Sequence, residues 1–181
     1  MNPRKIITSL ILTSTALLGG CASQSWNSKI IHELPFLGHR NWIVVADSAY
    51  PLQTSPGIET ICATDDQLEV VKQILADLTS TRHVKPIIYT DAELKFVAEK
   101  NAPGISAYRN RLATVLGDNS VRVLSHEQII AKLDEAGKSF KIVIVKTPLT
   151  LPYTSVFFQL DCAYWNSGAE KELRNAMVLP R

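Results

Sequence analysis

Five consecutive apolar residues, Trp42-Ile43-Val44-Val45-Ala46, constrain this chain more than any other segment. A run that is apolar at every position, with an aromatic and three β-branched side chains, reads as a strand buried on both faces, as at the centre of an α/β sheet. His39 stands just ahead of the run and Asp47 directly after it. Gly38 lets backbone and ligand approach each other closely beside His39, and Asp47 falls where ligands bind in open α/β sheets, past the carboxyl end of a strand. The expectation is a proton-handling side chain at either end of one buried strand.

The N-terminus indicates where such a protein would work. Arg4 and Lys5 precede an apolar stretch, Ile6 to Leu18, broken only by Thr and Ser. That is the pattern of a secretory signal, being shorter than the roughly 20 apolar residues a membrane span needs. Leu18-Gly19-Gly20-Cys21 follows at once and resembles the lipobox of bacterial lipoproteins, in which cleavage before the cysteine is coupled to its acylation. Residues 1–20 are therefore read as a signal peptide, Cys21 as a lipidated first residue, and residues 21–30, rich in Ser, Asn and Gln, as a tether. Ala22, rather than aspartate, after the cysteine resembles signals sorted to the outer membrane. The expected location is the bacterial envelope, facing the periplasm.

Loss of residues 1–20 removes two of 19 basic side chains, leaving 17 against 17 acidic ones. A formally neutral protein lacks the clustered positive charge that nucleic acid or an anionic membrane surface requires. Residues 31–181 suit one domain with a proper core. Cys62 and Cys162 have two open readings, a disulfide in an oxidising periplasm or two buried free thiols.

Beyond the first strand, helical and extended patterns alternate. Thr64-Asp65-Asp66-Gln67 has capping-box spacing, and Leu68, Val71, Ile74, Leu75 and Leu78 follow at helical period. Val84 to Thr90 reads as a strand and Asp91 as the cap of a short helix to about Lys100. A helical stripe from Ile105 to Leu116 is closed by Gly117, and Val121 to Leu124 reads as another strand. Ser125-His126-Glu127-Gln128 repeats the capping box and opens a helix ending at Gly137. Phe140 to Val145 and Thr154 to Leu160 are the last expected strands. The pattern is that of an α/β three-layer sandwich around a largely parallel or mixed sheet.

Further chemistry-bearing positions stand out. His126 lies in the first turn of its helix, where the positive end of the macrodipole disfavours the imidazolium form. Tyr153, Thr154 and Ser155 place three hydroxyls in a row at the start of a strand, which suits a polyhydroxylated ligand. His126-Glu127 begins like a zinc-protease motif, but Ile130 stands where the second histidine belongs, so no metal site is read there. Cys62, between Ile61 and Ala63, has the surroundings of a packing residue, not of a nucleophile. His32 and His83 lack any partner pattern.

Gly38-His39, seven residues, then Asp47 with Pro51 shortly after, a later His126-Glu127-Gln128 at a helix start, and Pro152-Tyr153 ahead of a strand together resemble the ribose pyranase and fucose mutarotase family over Leu34 to Asp161. The resemblance implies an isomerase that interconverts the cyclic forms of a monosaccharide, with His39 as proton donor. It also implies sugar contacts from Asp47, His126, Tyr153, Thr154 and Ser155, with no cofactor and no metal. The family's acidic residue two positions after the histidine is Asn41 here, and its Tyr-Ala-Asn or Tyr-Gly-Asn becomes Tyr153-Thr154-Ser155.

Imidazole suits this chemistry, because ring opening needs one proton taken from the anomeric hydroxyl and another delivered to the ring oxygen near neutral pH. If the chain from His39 to Asp47 is extended, eight steps of about 3.3 Å separate the two residues by roughly 26 Å, too far to hold one monosaccharide. Either the chain folds back at Arg40 and Asn41, or two copies complete each site. The ring-shaped oligomers of the resembled family favour a homo-oligomer with sites between subunits. An alternative is an envelope lipoprotein of the same fold that binds a saccharide or a protein partner without catalysis.

Overall fold

The computed structural model describes residues 25–177, so the expected signal peptide, Cys21 and the first residues of the expected tether lie outside the described residues. The elements in order are α1 (Trp26–Glu33), a 3-10 turn (Leu34–Phe36), β1 (Trp42–Ala46), β2 (Ile58–Cys62), α2 (Gln67–Ser80) and β3 (Val84–Asp91). A second 3-10 turn (Ala92–Phe96), α3 (Ile105–Leu116), β4 (Val121–Leu124), α4 (His126–Gly137), β5 (Ile142–Lys146), β6 (Val156–Cys162) and α5 (Ser167–Ala176) complete the chain. The strands form one mixed sheet in the order β2-β5-β1-β6-β3-β4. β1 pairs in parallel with β5 and antiparallel with β6, so the all-apolar run does sit inside the sheet.

Both faces of β1 are buried, as the unbroken apolar run requires. Ile43 and Val45 join a core built with α1, α2 and α3, whereas Trp42, Val44 and Ala46 join a second core with Ile129 and Leu133 of α4. Three helices on one face and one on the other give the three-layer sandwich. Packing is supported at the sheet's carboxyl edge by a buried polar network. Gln67 Nε2 donates to Tyr108 Oη and to the Thr154 carbonyl at 2.9 and 2.6 Å, while Gln67 Oε1 accepts from Thr147 Oγ1 at 2.9 Å. Tyr108 Oη donates to the same Thr154 carbonyl at 2.8 Å.

Several local expectations change. The tether reading fails from Trp26 onward, where the chain is helical. Ser25 Oγ accepts from the Ser28 amide at 3.2 Å, Trp26 Nε1 donates to Asp65 Oδ2, and Ile30, one turn on, is only 1% exposed. Two apolar anchors four residues apart suffice to dock a two-turn helix, and they are easily missed among Ser and Asn. The cap of α2 is Asp66, whose Oδ1 accepts from the Leu68 amide at 2.9 Å, and not Thr64. Gln67 is drawn into the buried network instead of reaching back to the helix start. The helix expected after Asp91 shortens to a 3-10 turn, and α5, which buries no side chain, was not anticipated. Cys62 and Cys162 are both free, with Cys62 exposed and Cys162 half-buried, so neither the disulfide nor the pair of buried thiols is found.

Replacing Gln67 by Leu leaves the buried Thr147 hydroxyl without its Gln67 acceptor and removes one donor from the Thr154 carbonyl. The expected cost is about 2–4 kcal/mol in urea unfolding, from the loss of three buried hydrogen bonds at about 0.5–1.5 kcal/mol each. A cost below about 0.5 kcal/mol would show that the network does not stabilise this edge.

Candidate functional site

Strand β6 runs opposite to its two neighbours. Its first residue, Val156, pairs with Val45 of β1 and with Thr90 of β3. The residues leading into β6 therefore emerge at the same edge where β1 and β3 end, and Asp47, Asp91 and Tyr153 converge there. Helix α4 starts at this edge after β4 and brings His126 alongside. The result is an open pocket of about 410 Å³ lined in part by Asp47, Tyr50, Gln53, His126, Ile130 and Tyr153.

Asp47 is held by its own turn. Its Oδ1 accepts from the Ala49 amide at 2.8 Å, and Ser155 Oγ donates to its Oδ2 at 3.4 Å. Tyr153 adopts a left-handed backbone with φ 57°, a conformation that costs a non-glycine residue free energy and is kept where the surroundings enforce it. Its ring meets the His126 ring edge-on, with centroids 5.7 Å apart.

The His126 ring is fixed from behind by Asp91. Nδ1 lies 3.2 Å from Asp91 Oδ1, and the Asp91 side chain is fully buried. β3 alternates, so Tyr89 and Asp91 share the face covered by α4 whereas Ile88 faces the other core. Burial pushes the Asp91 carboxyl up to about 6, and the neighbouring imidazole opposes that rise. Glu93 lies across the start of α4, its two oxygens accepting from the His126 amide at 3.1 and 3.0 Å. The helix dipole thus acts on His126 together with the Asp91 and Glu93 carboxylates, which are not neighbours of His126 in sequence. Burial also pushes the Tyr50 hydroxyl up to about 12.

The expected site residues divide into those the fold gathers and those it does not. Asp47, His126 and Tyr153 line one pocket. Thr154 does not face it: the residue is 0% exposed and its Oγ1 donates to the Leu151 carbonyl at 2.8 Å. Ser155 is also buried and reaches Asp47 instead of the open space, so the row of three hydroxyls presents one to a ligand and uses two to hold the edge.

His39 is exposed on the turn before β1, at the opposite end of the strand from Asp47. The chain does turn at Gly38 to Asn41, yet the Arg40 amide already donates to the Leu160 carbonyl at 2.8 Å, so β1 leaves that turn along the sheet. The five steps from Trp42 to Asp47 alone span about 16 Å, which excludes the fold-back that would join His39 and Asp47 within one chain. Asn41, at the position of the resembled family's acidic residue, is committed to the turn. Its Oδ1 accepts from the Gly38 amide at 2.7 Å and its Nδ2 donates to the Lys141 carbonyl at 3.1 Å. Beside this turn lies a second cleft of about 540 Å³, with Arg40, Trp42, Lys132, Phe140 and Gln159 in its walls.

The sequence pattern gives Asp91 as a helix cap, although it ends a strand as Asp47 does. That shared position was the available signal. Among the described residues no group of three or more His, Cys, Asp or Glu side chains is arranged to hold a metal ion.

A sequence model of the RbsD / FucU transport protein family matches residues 22–162. No curated protein matches the sequence. Among solved structures, Bacillus subtilis RbsD complexed with D-ribose is 22% identical with a TM-score of 0.52, over 74% of this chain and 92% of that one. The fucose mutarotase in complex with L-fucose from Streptococcus pneumoniae is 20% identical with a TM-score of 0.48, over 76% of this chain and 96% of that one. The likeness to the B. subtilis structure is one of fold.

The raised Asp91 carboxyl makes a stability prediction. The folded chain holds this proton up to about pH 6, whereas the unfolded chain releases it near 4, so the contribution to stability falls as pH rises through that window. Asp91→Asn removes this slope. Its stability relative to the unmodified chain should improve by about 1–3 kcal/mol between pH 4 and pH 7.5 in urea unfolding. An unchanged difference at the two pH values would contradict a buried, titrating Asp91.

Proposed function

Because the chain belongs to the RbsD / FucU transport protein family, we propose that it binds a monosaccharide at the carboxyl edge of its sheet and interconverts the sugar's cyclic forms by opening and closing the ring. The observation that carries this reading is the convergence of Asp47, His126 and Tyr153 on one open pocket of about 410 Å³. A carboxylate, an imidazole and a phenol hydroxyl around an open space match the hydrogen-bonding needs of a polyol, and an aromatic ring edge suits a sugar's apolar face. The D-ribose bound to B. subtilis RbsD and the L-fucose bound to the S. pneumoniae mutarotase support a monosaccharide as the ligand.

Asp47 grips sugar hydroxyls and Tyr153 positions the ring. One group takes the proton of the anomeric hydroxyl while another protonates the ring oxygen; the bond from the anomeric carbon to the ring oxygen breaks and an open-chain carbonyl forms. Rotation of the carbonyl and reversal of both transfers give the other ring form. We assign His39 to one of these transfers, delivered by a second copy of the chain. The amino edge beside His39 carries Arg40 and Lys132 with Glu135, and the carboxyl edge presents Asp47 and Glu127. A head-to-tail contact of these two edges closes into a ring if its rotation allows. Acylated Cys21 would hold the assembly at the outer membrane by a short leash, since α1 starts at Trp26.

A binding protein without catalysis is the second reading. Asn41 favours it, because its side chain holds the Gly38 amide and the Lys141 carbonyl and brings no charge to orient the His39 ring.

Saturation-transfer NMR on equilibrated ribose, fucose and galactose separates the two. Accelerated anomer exchange, reduced at least about 100-fold in His39→Ala and in Asp47→Ala, is the expected result. Mixing and reassembling those two variants should restore exchange to about a quarter of the unmodified level, the share of contacts that pair an intact His39 with an intact Asp47. Binding without acceleration would establish the second reading, and no recovery on mixing would overturn the shared site. For the anchor, Cys21→Ala should move the protein from the detergent-rich to the aqueous phase; unchanged partitioning would refute lipidation at that residue.

A further inference from the structure

We propose that Asp91 is a positioning residue and that, with it, His126 is an acid/base that delivers a proton to the sugar's ring oxygen, beyond merely gripping a hydroxyl. This rests on the ring-opening reading above and supplies the second proton-transfer group that the chemistry requires.

Three observations converge. Asp91 is 2% exposed, and its Oδ2 has no hydrogen-bond partner among the described residues. A carboxylate kept there for packing alone would be replaced at a gain by an amide or an apolar side chain, because an incompletely satisfied buried charge is costly. Its Oδ1 faces His126 Nδ1 at 3.2 Å. An ionised Asp91 accepts from Nδ1–H and so leaves the lone pair on Nε2. The imidazole side chain is 33% exposed and lines the pocket beside Tyr153, so the nitrogen not engaged by Asp91 is the one that can serve a ligand.

The surroundings favour a proton carrier. Carboxylates meet the pair from several elements: Asp47 after β1, Glu93 in the 3-10 turn after β3, and Glu127 on α4. Asp134, further along α4, and the Tyr50 hydroxyl complete the nearby titratable groups. Lys146 is tied to the Tyr50 carbonyl at 2.8 Å, and among the described residues no Lys or Arg lines the pocket. An imidazolium is thus the cation this site can generate beside a developing negative charge. In the forward step Nε2, having first taken a proton from solvent to give the imidazolium, passes that proton to the ring oxygen as the ring bond breaks, and the base facing the anomeric hydroxyl takes the other proton. Closure returns both, leaving no net change in either group.

Asp91→Asn is the test, because an amide can keep the contact to Nδ1 while losing the charge. The expected result is a fall in kcat for anomer exchange of about 100-fold or more, with KM within about threefold and the acidic limb of the pH profile lost. An unchanged kcat, or a loss confined to KM, would overturn the proposal. Ring nitrogen NMR of His126 in the unmodified chain reads the pair without relying on turnover. Nδ1–H with an unprotonated Nε2, and a titration shared with the Asp91 carboxyl carbon, supports it; independent titrations of the two groups would overturn it. If the unmodified chain accelerates no anomer exchange, the proposed function fails, and the NMR result still decides whether Asp91 and His126 act as a pair.

Discussion

Strand β6 lies between β1 and β3 and runs against both, and this reversal is what makes a site at all. In an all-parallel sheet every strand would leave by the same edge, and the loop carrying Tyr153 would enter β6 at the far side from Asp47. With β6 reversed, Val156 stands between Val45 and Thr90, so the loop before it meets the ends of both neighbours. The buried Gln67, Tyr108 and Thr147 side chains then fix the Thr154 carbonyl, which holds the loop at one height above the sheet. Tyr153, one residue earlier, is left in a left-handed conformation with its ring toward His126.

The same edge concentrates unfavourable terms. A phenol pushed up to about 12 and a strained tyrosine backbone lie in the pocket wall, with a buried carboxyl pushed up to about 6 behind the His126 ring. Of these groups the Asp91 carboxyl is brought toward neutral pH, as suits a group that exchanges protons there, whereas the Tyr50 phenol is moved away from it. The opposite edge shares the backbone strain, with Arg40 at φ 78°, but is otherwise built differently. Its turn is held by Asn41, its His39 is exposed, and the Arg40 guanidinium lies 5.6 Å from the centre of the Phe140 ring. One edge lacks an exposed proton carrier of the second kind and the other presents one, which is the physical motive for a contact between copies.

Much of this was legible in the sequence because the determining signals are local. The unbroken apolar run from Trp42 to Ala46 places β1 in the sheet interior, and the Ser125 to Gln128 spacing places His126 at a helix start; the Ser125 amide indeed donates to Gln128 Oε1 at 3.2 Å. The alternation of strands and helices gives the layers. What escaped depends on long-range pairing. That Asp91 meets His126 follows from the pairing of β4 in parallel beside β3, and that Thr154 turns inward follows from Gln67, 87 residues away in sequence. Helix α1 hid because Trp26 and Ile30 are its anchors in an otherwise polar stretch.

The central claim is that a sugar ring opens at the carboxyl edge, between one copy's Asp47, His126 and Tyr153 and another copy's His39. A crystal structure of the protein grown with whichever of ribose, fucose or galactose it binds measures this most directly. The account expects the sugar in the pocket beside Tyr153, its ring oxygen within hydrogen-bonding distance of His126 Nε2 and its anomeric hydroxyl facing a neighbouring copy's His39. A sugar seated in the cleft of Arg40 and Phe140, or a carboxyl-edge pocket closed by one chain alone, would contradict it.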